Sequence, residues 1–133
     1  WMSAAAVFVG GGLGAVLRYY LERFLAPRRT SDALISAVFV INVLGSLTLG
    51  IVGAAVNVLG GQDAIAYAGL SLGLLGGFTT FSTAMVEAVQ ALLAARYTRF
   101  VMLWLVQPTL SLLVLITGYT AAAAVFLAVF SAR

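Results

Sequence analysis

The chain has 133 residues, of which 63% are hydrophobic and only 8% charged, with a formal net charge of +3. So little charge cannot cover the surface of a water-soluble domain of this size, and the chain reads as an integral membrane protein. It contains no cysteine and no histidine, which excludes disulfides, thiolate chemistry, haem ligation and soft-metal sites.

About 20 apolar residues are needed to span a bilayer as a helix, and four stretches are long enough. The first covers residues 3–25 and holds Arg18 in its second half. It has no basic segment at its start and a charge where a cleavage region would fall, so it is not a signal peptide. The second covers 34–56, with Asn42, Ser46, Gly50 and Ala54 four residues apart. Gly10 and Gly14 in the first helix share that spacing, and such stripes of small residues let helix backbones approach closely in lipid. The third stretch covers 65–95 and the fourth 100–130. The connection 26–33 carries Pro27, Arg28, Arg29 and Asp32, and 57–64 is a Gly-Gly turn with Asp63. The connection 96–99 is so short that helices three and four must be antiparallel neighbours. One four-helix bundle uses all of residues 1–133 as a single all-α membrane domain.

Every basic residue is an arginine. Arg23, Arg28, Arg29, Arg96 and Arg99 fall on the side of the first and third connections, and only Arg133 falls on the side of the termini. The excess marks the arginine-rich side as cytoplasmic and both termini as outside. The acids are Glu22, Asp32, Asp63 and Glu87, too scattered for a catalytic pair. The glycines at 10–14 follow no strand, so they form no phosphate loop. The chain is not read as an enzyme.

The third stretch is the one that carries chemistry. Residues 73–83 read Gly-Leu-Leu-Gly-Gly-Phe-Thr-Thr-Phe-Ser-Thr. A spanning helix tolerates a break only where the freed backbone is buried in protein or lines a watery path, and such breaks hold ion sites. Gly76 and Gly77 free the backbone to leave helical geometry. Carbonyls released there suit a small hard cation such as Na⁺. Thr79, Thr80, Ser82 and Thr83 offer hydroxyl donors to an anion, or bond back one turn and only bend the helix. Phe78 and Phe81 flank them, either as packing or with a positive ring edge turned to an anion.

Other polar groups sit inside the spans. Asn42 marks either a transport path or an interhelical hydrogen bond. Gln107 and Ser111 share one face of helix four, and Pro108 between them frees a carbonyl one turn back. Arg18 would cost about 2.5–3.5 kcal/mol at a helix centre, so it snorkels toward the basic side or lines an anion-attracting vestibule. Glu87 has no local partner in sequence and braces or caps the second half of the broken helix.

Three of these motifs together resemble the CrcB/Fluc fluoride channels. Residues 11–19, Gly-Gly-Leu-Gly-Ala-Val-Leu-Arg-Tyr, are similar to that family's first-helix start, and Asn42-Val43-Leu44-Gly45-Ser46 to its second-helix motif. Residues 76–83 with Glu87 resemble its Gly-Gly-x-Thr-Thr-Phe-Ser-Thr signature. The resemblance covers essentially the whole chain. It implies an antiparallel dimer in the cell (inner) membrane, formed with itself or a homologous subunit. It also implies two fluoride pores along the subunit interface and a structural Na⁺ at the dimer centre. By motif position the Na⁺ ligands are the carbonyls of Gly76 and Thr79. The anion pathway is then Asn42, Phe81, Ser82, Thr83, Gln107 and Ser111, with Arg18 toward the mouth. The chain departs from the pattern at Ala84, where a second Phe is usual, and at Gln107, where a small hydroxyl is more common. Two rival readings remain: a small proton-coupled multidrug exporter, and a structural subunit that conducts nothing alone. The exporter would need a buried carboxylate in helix one, which has only Glu22, near its end.

Overall fold

In the computed structural model, residues 2–26, 33–59 and 67–131 are described. Among them four helices are long and apolar enough to cross a membrane: Met2–Leu25, Ala37–Val58, Ser71–Leu93 and Tyr97–Ser131. The chain is an all-helical multi-pass membrane protein. Arg28, Arg29, the Gly60-Gly61 turn with Asp63, and Arg133 lie outside the described residues.

Helix α1 (Met2–Leu25) presents most of its surface outward and buries only a glycine seam. Its partner is α3, which runs as a wide, π-wound turn over Ala68–Leu75 and as α-helix over Gly76–Phe78. A Cβ at Gly10 would strike the Gly69 carbonyl, one at Gly14 the Leu74 carbonyl, and one at Gly77 the Gly11 carbonyl. Lipid gives helices no hydrophobic reason to associate, so close backbone approach is the main source of packing energy here.

Helix α2 (Ala37–Leu59) starts three residues later than hydropathy suggests. Ser36 stops the apolar run being helical from Leu34, because its Oγ accepts from the Phe39 N–H at 3.1 Å and so caps the helix. Further along, Gly50 admits the Leu115 carbonyl of the last helix, and Gly118 of that helix meets Leu47. The small residues at Gly10, Gly14, Gly50 and Gly118 are therefore contact points between helices.

After the break at Thr79 and Thr80, α4 runs over Phe81–Leu93. Helix α5 then runs through Tyr97–Val101, a π-wound turn at Met102–Val106, and Gln107–Ser131. The π turn has a sequence cause. Pro108 has no N–H and its ring crowds the carbonyl of Trp104. The turn before it widens, and the Gln107 N–H reaches back five residues to the Met102 carbonyl. Phe39, Ala88 and Leu103 form a buried core between α2, α4 and α5, flanked by Val43, Phe100, Met102 and Val106.

The α4–α5 connection is tighter than residues 96–99. It is a turn at 94–96, and Arg99 lies in the first turn of α5. Ala95 sits at φ 55°, with the Arg96 N–H on the Ala91 carbonyl at 2.8 Å. This left-handed helix end favours glycine. An alanine there carries a cost of about 1 kcal/mol or more. Ala95→Gly is expected to stabilise the fold by about 0.5–1 kcal/mol. An unfolding titration in detergent micelles would measure it, and an unchanged midpoint would contradict the assignment.

Candidate functional site

The break in the third span falls two residues later than the glycines. Gly76 keeps helical angles, φ −64° and ψ −39°, so its conformational freedom is unused. Thr79 (φ −83°, ψ 152°) and Thr80 (φ −147°, ψ 123°) are the residues in extended geometry. β-Branched threonine is well suited to that geometry. Gly77 serves instead for the close approach of α1.

Asn42 holds the break. Its Nδ2 donates to the Thr80 carbonyl and its Oδ1 accepts from the Thr80 N–H, both at 2.8 Å. The side-chain amide thus replaces the acceptor that a continuous helix would have given the Thr80 N–H, and adds a donor to the Thr80 carbonyl, which as the N-cap already accepts the first bond of α4. Gly45, one turn along α2, makes room for this contact, because a Cβ there would lie 2.5 Å from Thr79 Cγ2. Of the two readings of Asn42, the interhelical hydrogen bond is present. The amide still has one N–H and one lone pair unspent.

Thr80 then caps α4. Its Oγ1 accepts from the Thr83 N–H at 3.4 Å and lies 3.3 Å from both Ser82 Oγ and Thr83 Oγ1. Thr79 Oγ1 donates back to the Leu75 carbonyl at 3.0 Å. One hydroxyl of the four therefore bends back, and the other three form a cluster at the start of α4. Several carbonyls at the end of α3 lose their helical donors as a result, those of Gly76 and Thr79 among them. The N–H that would reach Gly76 goes to Asn42, and the N–H that would reach Thr79 goes to Thr80 Oγ1.

Beside the break lies a cavity of about 230 Å³. Asn42 and Ser46 line it from α2, Thr79, Thr80, Phe81, Ala84 and Met85 from the break and α4, and Leu103, Gln107, Pro108 and Ser111 from α5. No charged side chain is among them. Gln107 is only 3% exposed, and its Oε1 and the Ser111 Oγ are buried without a hydrogen-bond partner. A buried polar atom left so costs about 1–3 kcal/mol, which marks this wall as one that receives water or a solute. The N-terminal end of α4, with its positive partial charge, opens at the same place.

The structure thus gathers Asn42, Phe81, Gln107 and Ser111 around one cavity. Ser82 and Thr83 stand behind Thr80 and do not line it. Arg18 does not reach it either; its Nε is buried on α1 without a partner. Ser46, read in the sequence as one of a small-residue stripe and as the end of the second-helix motif, is a lining residue. Its signal was its position one turn from Asn42.

These features define a small helical membrane protein with an interrupted span beside a neutral polar cavity. The chain belongs to the family described as CrcB-like protein, Camphor Resistance (CrcB), which matches residues 5–119. It is 39% identical over 97 residues, covering 72% of this chain and 75% of the relative, to "Fluoride-specific ion channel FluC" of Novosphingobium aromaticivorans. It is 39% identical over 87 residues to the protein of that name from Methylobacterium nodulans, covering 65% and 68% of the two chains. "Fluoride-specific ion channel FluC 2" of Cutibacterium acnes is 43% identical over 91 residues, covering 68% and 72%.

Asn42→Ala would leave the Thr80 N–H unpaired, at a cost of roughly 1–3 kcal/mol. Asn42→Asp would keep the acceptor and lose the donor until protonated, so its deficit should shrink as pH falls. Unfolding midpoints of the three proteins at neutral and acidic pH would check this. An alanine variant as stable as the parent would show that the clamp is dispensable.

Proposed function

We propose that the chain is a subunit of a fluoride-selective channel in the cell membrane that exports fluoride passively. The observation that carries this reading is the uncharged cavity of amide and hydroxyl donors at a helix break, in a family whose relatives are named fluoride-specific channels. A small anion that sheds tightly held water needs fixed neutral donors. A buried arginine would hold it too long. An inside-negative membrane potential drives the anion outward with about 2.3 kcal/mol per 100 mV, so the protein needs no coupled energy source. Membership of the family, together with the lack of any carboxylate in α1 apart from Glu22, argues against a proton-coupled exporter.

The functional unit in this reading is an antiparallel dimer with itself or with a homologous subunit. Supporting it, Phe81 lines the cavity yet is 67% exposed, so the cavity needs a second wall. The arginine bias toward one side favours a partner of opposite bias, and relatives bear the numbered names FluC 1 and FluC 2. A structural Na⁺ belongs to the same reading. The residues fit it: the carbonyls of Gly76 and Thr79 are among those whose helical donors are diverted, and a Cβ at Gly76 would meet no atom within 4 Å. No charge is needed for such a site, since Na⁺ accepts neutral oxygen ligands.

Proteoliposomes holding the chain alone should release fluoride at least tenfold faster than chloride. Equal rates would refute selectivity, and no fluoride release by the chain alone, with release restored by a homologous subunit, would establish the heterodimer. Raising Na⁺ against a fixed total of Na⁺ plus N-methylglucamine should raise the unfolding midpoint of the detergent-solubilised protein. Indifference to Na⁺ would remove the cation site.

A further inference from the structure

A second cavity, of about 310 Å³, lies at the hairpin end of α4 and α5, lined by Glu87, Gln90, Ala91, Ala94, Arg96 and Arg99. Its chemistry is the opposite of the first. Two guanidinium groups and one carboxylate share it, and Arg99 Nε and Glu87 Oε2 are buried without partners. The cavity is far wider than a bare halide and has room for an ion with several waters, each of about 30 Å³.

Helix geometry places the two cavities in line. On α5, Arg99, Leu103, Gln107 and Ser111 follow at intervals of four and share a face. Arg99 lines the charged cavity, while Leu103, Gln107 and Ser111 line the neutral one. On α4, Ala84 and Glu87 are one turn apart and line the neutral and the charged cavity respectively. Leu103 and Ala84, which line the neutral cavity, are 1% exposed or less, as is Ala88. A charged cavity and a neutral one thus lie along the same faces of α4 and α5.

We propose that the Arg96–Arg99–Glu87 cavity is a loading site for hydrated small inorganic anions, which supplies the neutral cavity further along α5. This rests on the channel reading above. The guanidinium groups raise the local anion concentration at the mouth. Glu87, in the same cavity, offsets part of their charge, so the anion is attracted but not trapped. Loading by charge acts on the approach rate and fades as salt screens it. The site therefore governs flux at low fluoride and low ionic strength and has little effect on selectivity, which belongs to the neutral cavity.

The test compares fluoride flux from proteoliposomes at low and high ionic strength for the parent and for Arg99→Gln, Arg99→Lys and Glu87→Gln. Arg99→Gln should lower flux at subsaturating fluoride by roughly three- to tenfold at low salt, and the deficit should vanish at high salt. Arg99→Lys should restore most of it. Glu87→Gln should raise low-salt flux, a gain that a damaged fold cannot produce. Fluoride-over-chloride selectivity should stay at the parent value throughout. A parent that conducts, with Arg99→Gln and Glu87→Gln both matching it at low salt, would overturn the loading site. A deficit in Arg99→Gln that persists at high salt and is not rescued by lysine would do the same, since it would mark a structural role. A parent that carries no fluoride would instead overturn the channel reading itself.

Discussion

The hydrogen bonds between the Asn42 amide and the backbone of Thr80 set the terms for the rest of the molecule. Inside a bilayer no water stands ready to satisfy a broken helix, and each orphaned group costs several kcal/mol. One side chain with a donor and an acceptor a fixed distance apart can take the orphaned N–H of a residue and brace its carbonyl at the same time. Placing it requires α2 to lie against the break, which Gly45 permits by leaving no Cβ beneath Thr79. It also requires the first half of the broken span to be held from the other side. The glycine seam of α1 does that through Gly10, Gly14 and the facing Gly77. Packing that looks generic is therefore what keeps the break in register with Asn42.

The two π-wound turns fit the same logic. One precedes the break at Ala68–Leu75 and the other precedes Gln107 and Pro108 at Met102–Val106. Wide turns of this kind cluster at functional sites because they re-aim the residues that follow. On α5 the result is that Gln107 and Ser111 add polar atoms to a cavity wall that Leu103, one turn before, keeps apolar. A proline thus sets the aim of a polar face without breaking the helix that carries it.

Much of this was legible in the sequence. The four spans followed from hydropathy, and the break from hydroxyl residues in an apolar run. Asn42, Gln107 and Ser111 stood out because polar groups inside a membrane are costly. What stayed hidden has physical reasons. Gly76-Gly77 advertised unwinding, yet the glycines are helical and the threonines are extended. A glycine signals both freedom and close approach, and only the position of α1 decides which is used. Ser82 and Thr83 could not be told from lining residues, because the cluster with Thr80 depends on how α4 is capped. The start of α2 was misplaced because the Ser36 cap outweighs the apolar Leu34 and Ile35. Arg99 was placed in a loop, since no residue types mark how tightly Ala95 turns the chain.

Breaking one helix also has a consequence that joins the anion pathway to the proposed cation. The interruption at Thr79 and Thr80 creates a C-terminal end on α3 and an N-terminal end on α4. The first exposes carbonyls and partial negative charge, and the second exposes N–H groups and partial positive charge. Oxygen ligands for a cation and donors for an anion thus arise within a few residues of each other from a single event. Asn42 binds the N–H and the carbonyl of Thr80 at the junction and so holds the two ends in place. A continuous helix would offer neither end, and a clean chain break would leave both unheld. An antiparallel partner would bring a second such pair of ends against the exposed Gly76 and Phe81. A cation between the two carbonyl ends would then offset their mutual repulsion, while the N-terminal ends remained turned to the cavities. In this reading the cation serves the pathway by holding two dipoles together at a distance, without touching the anion it helps to conduct.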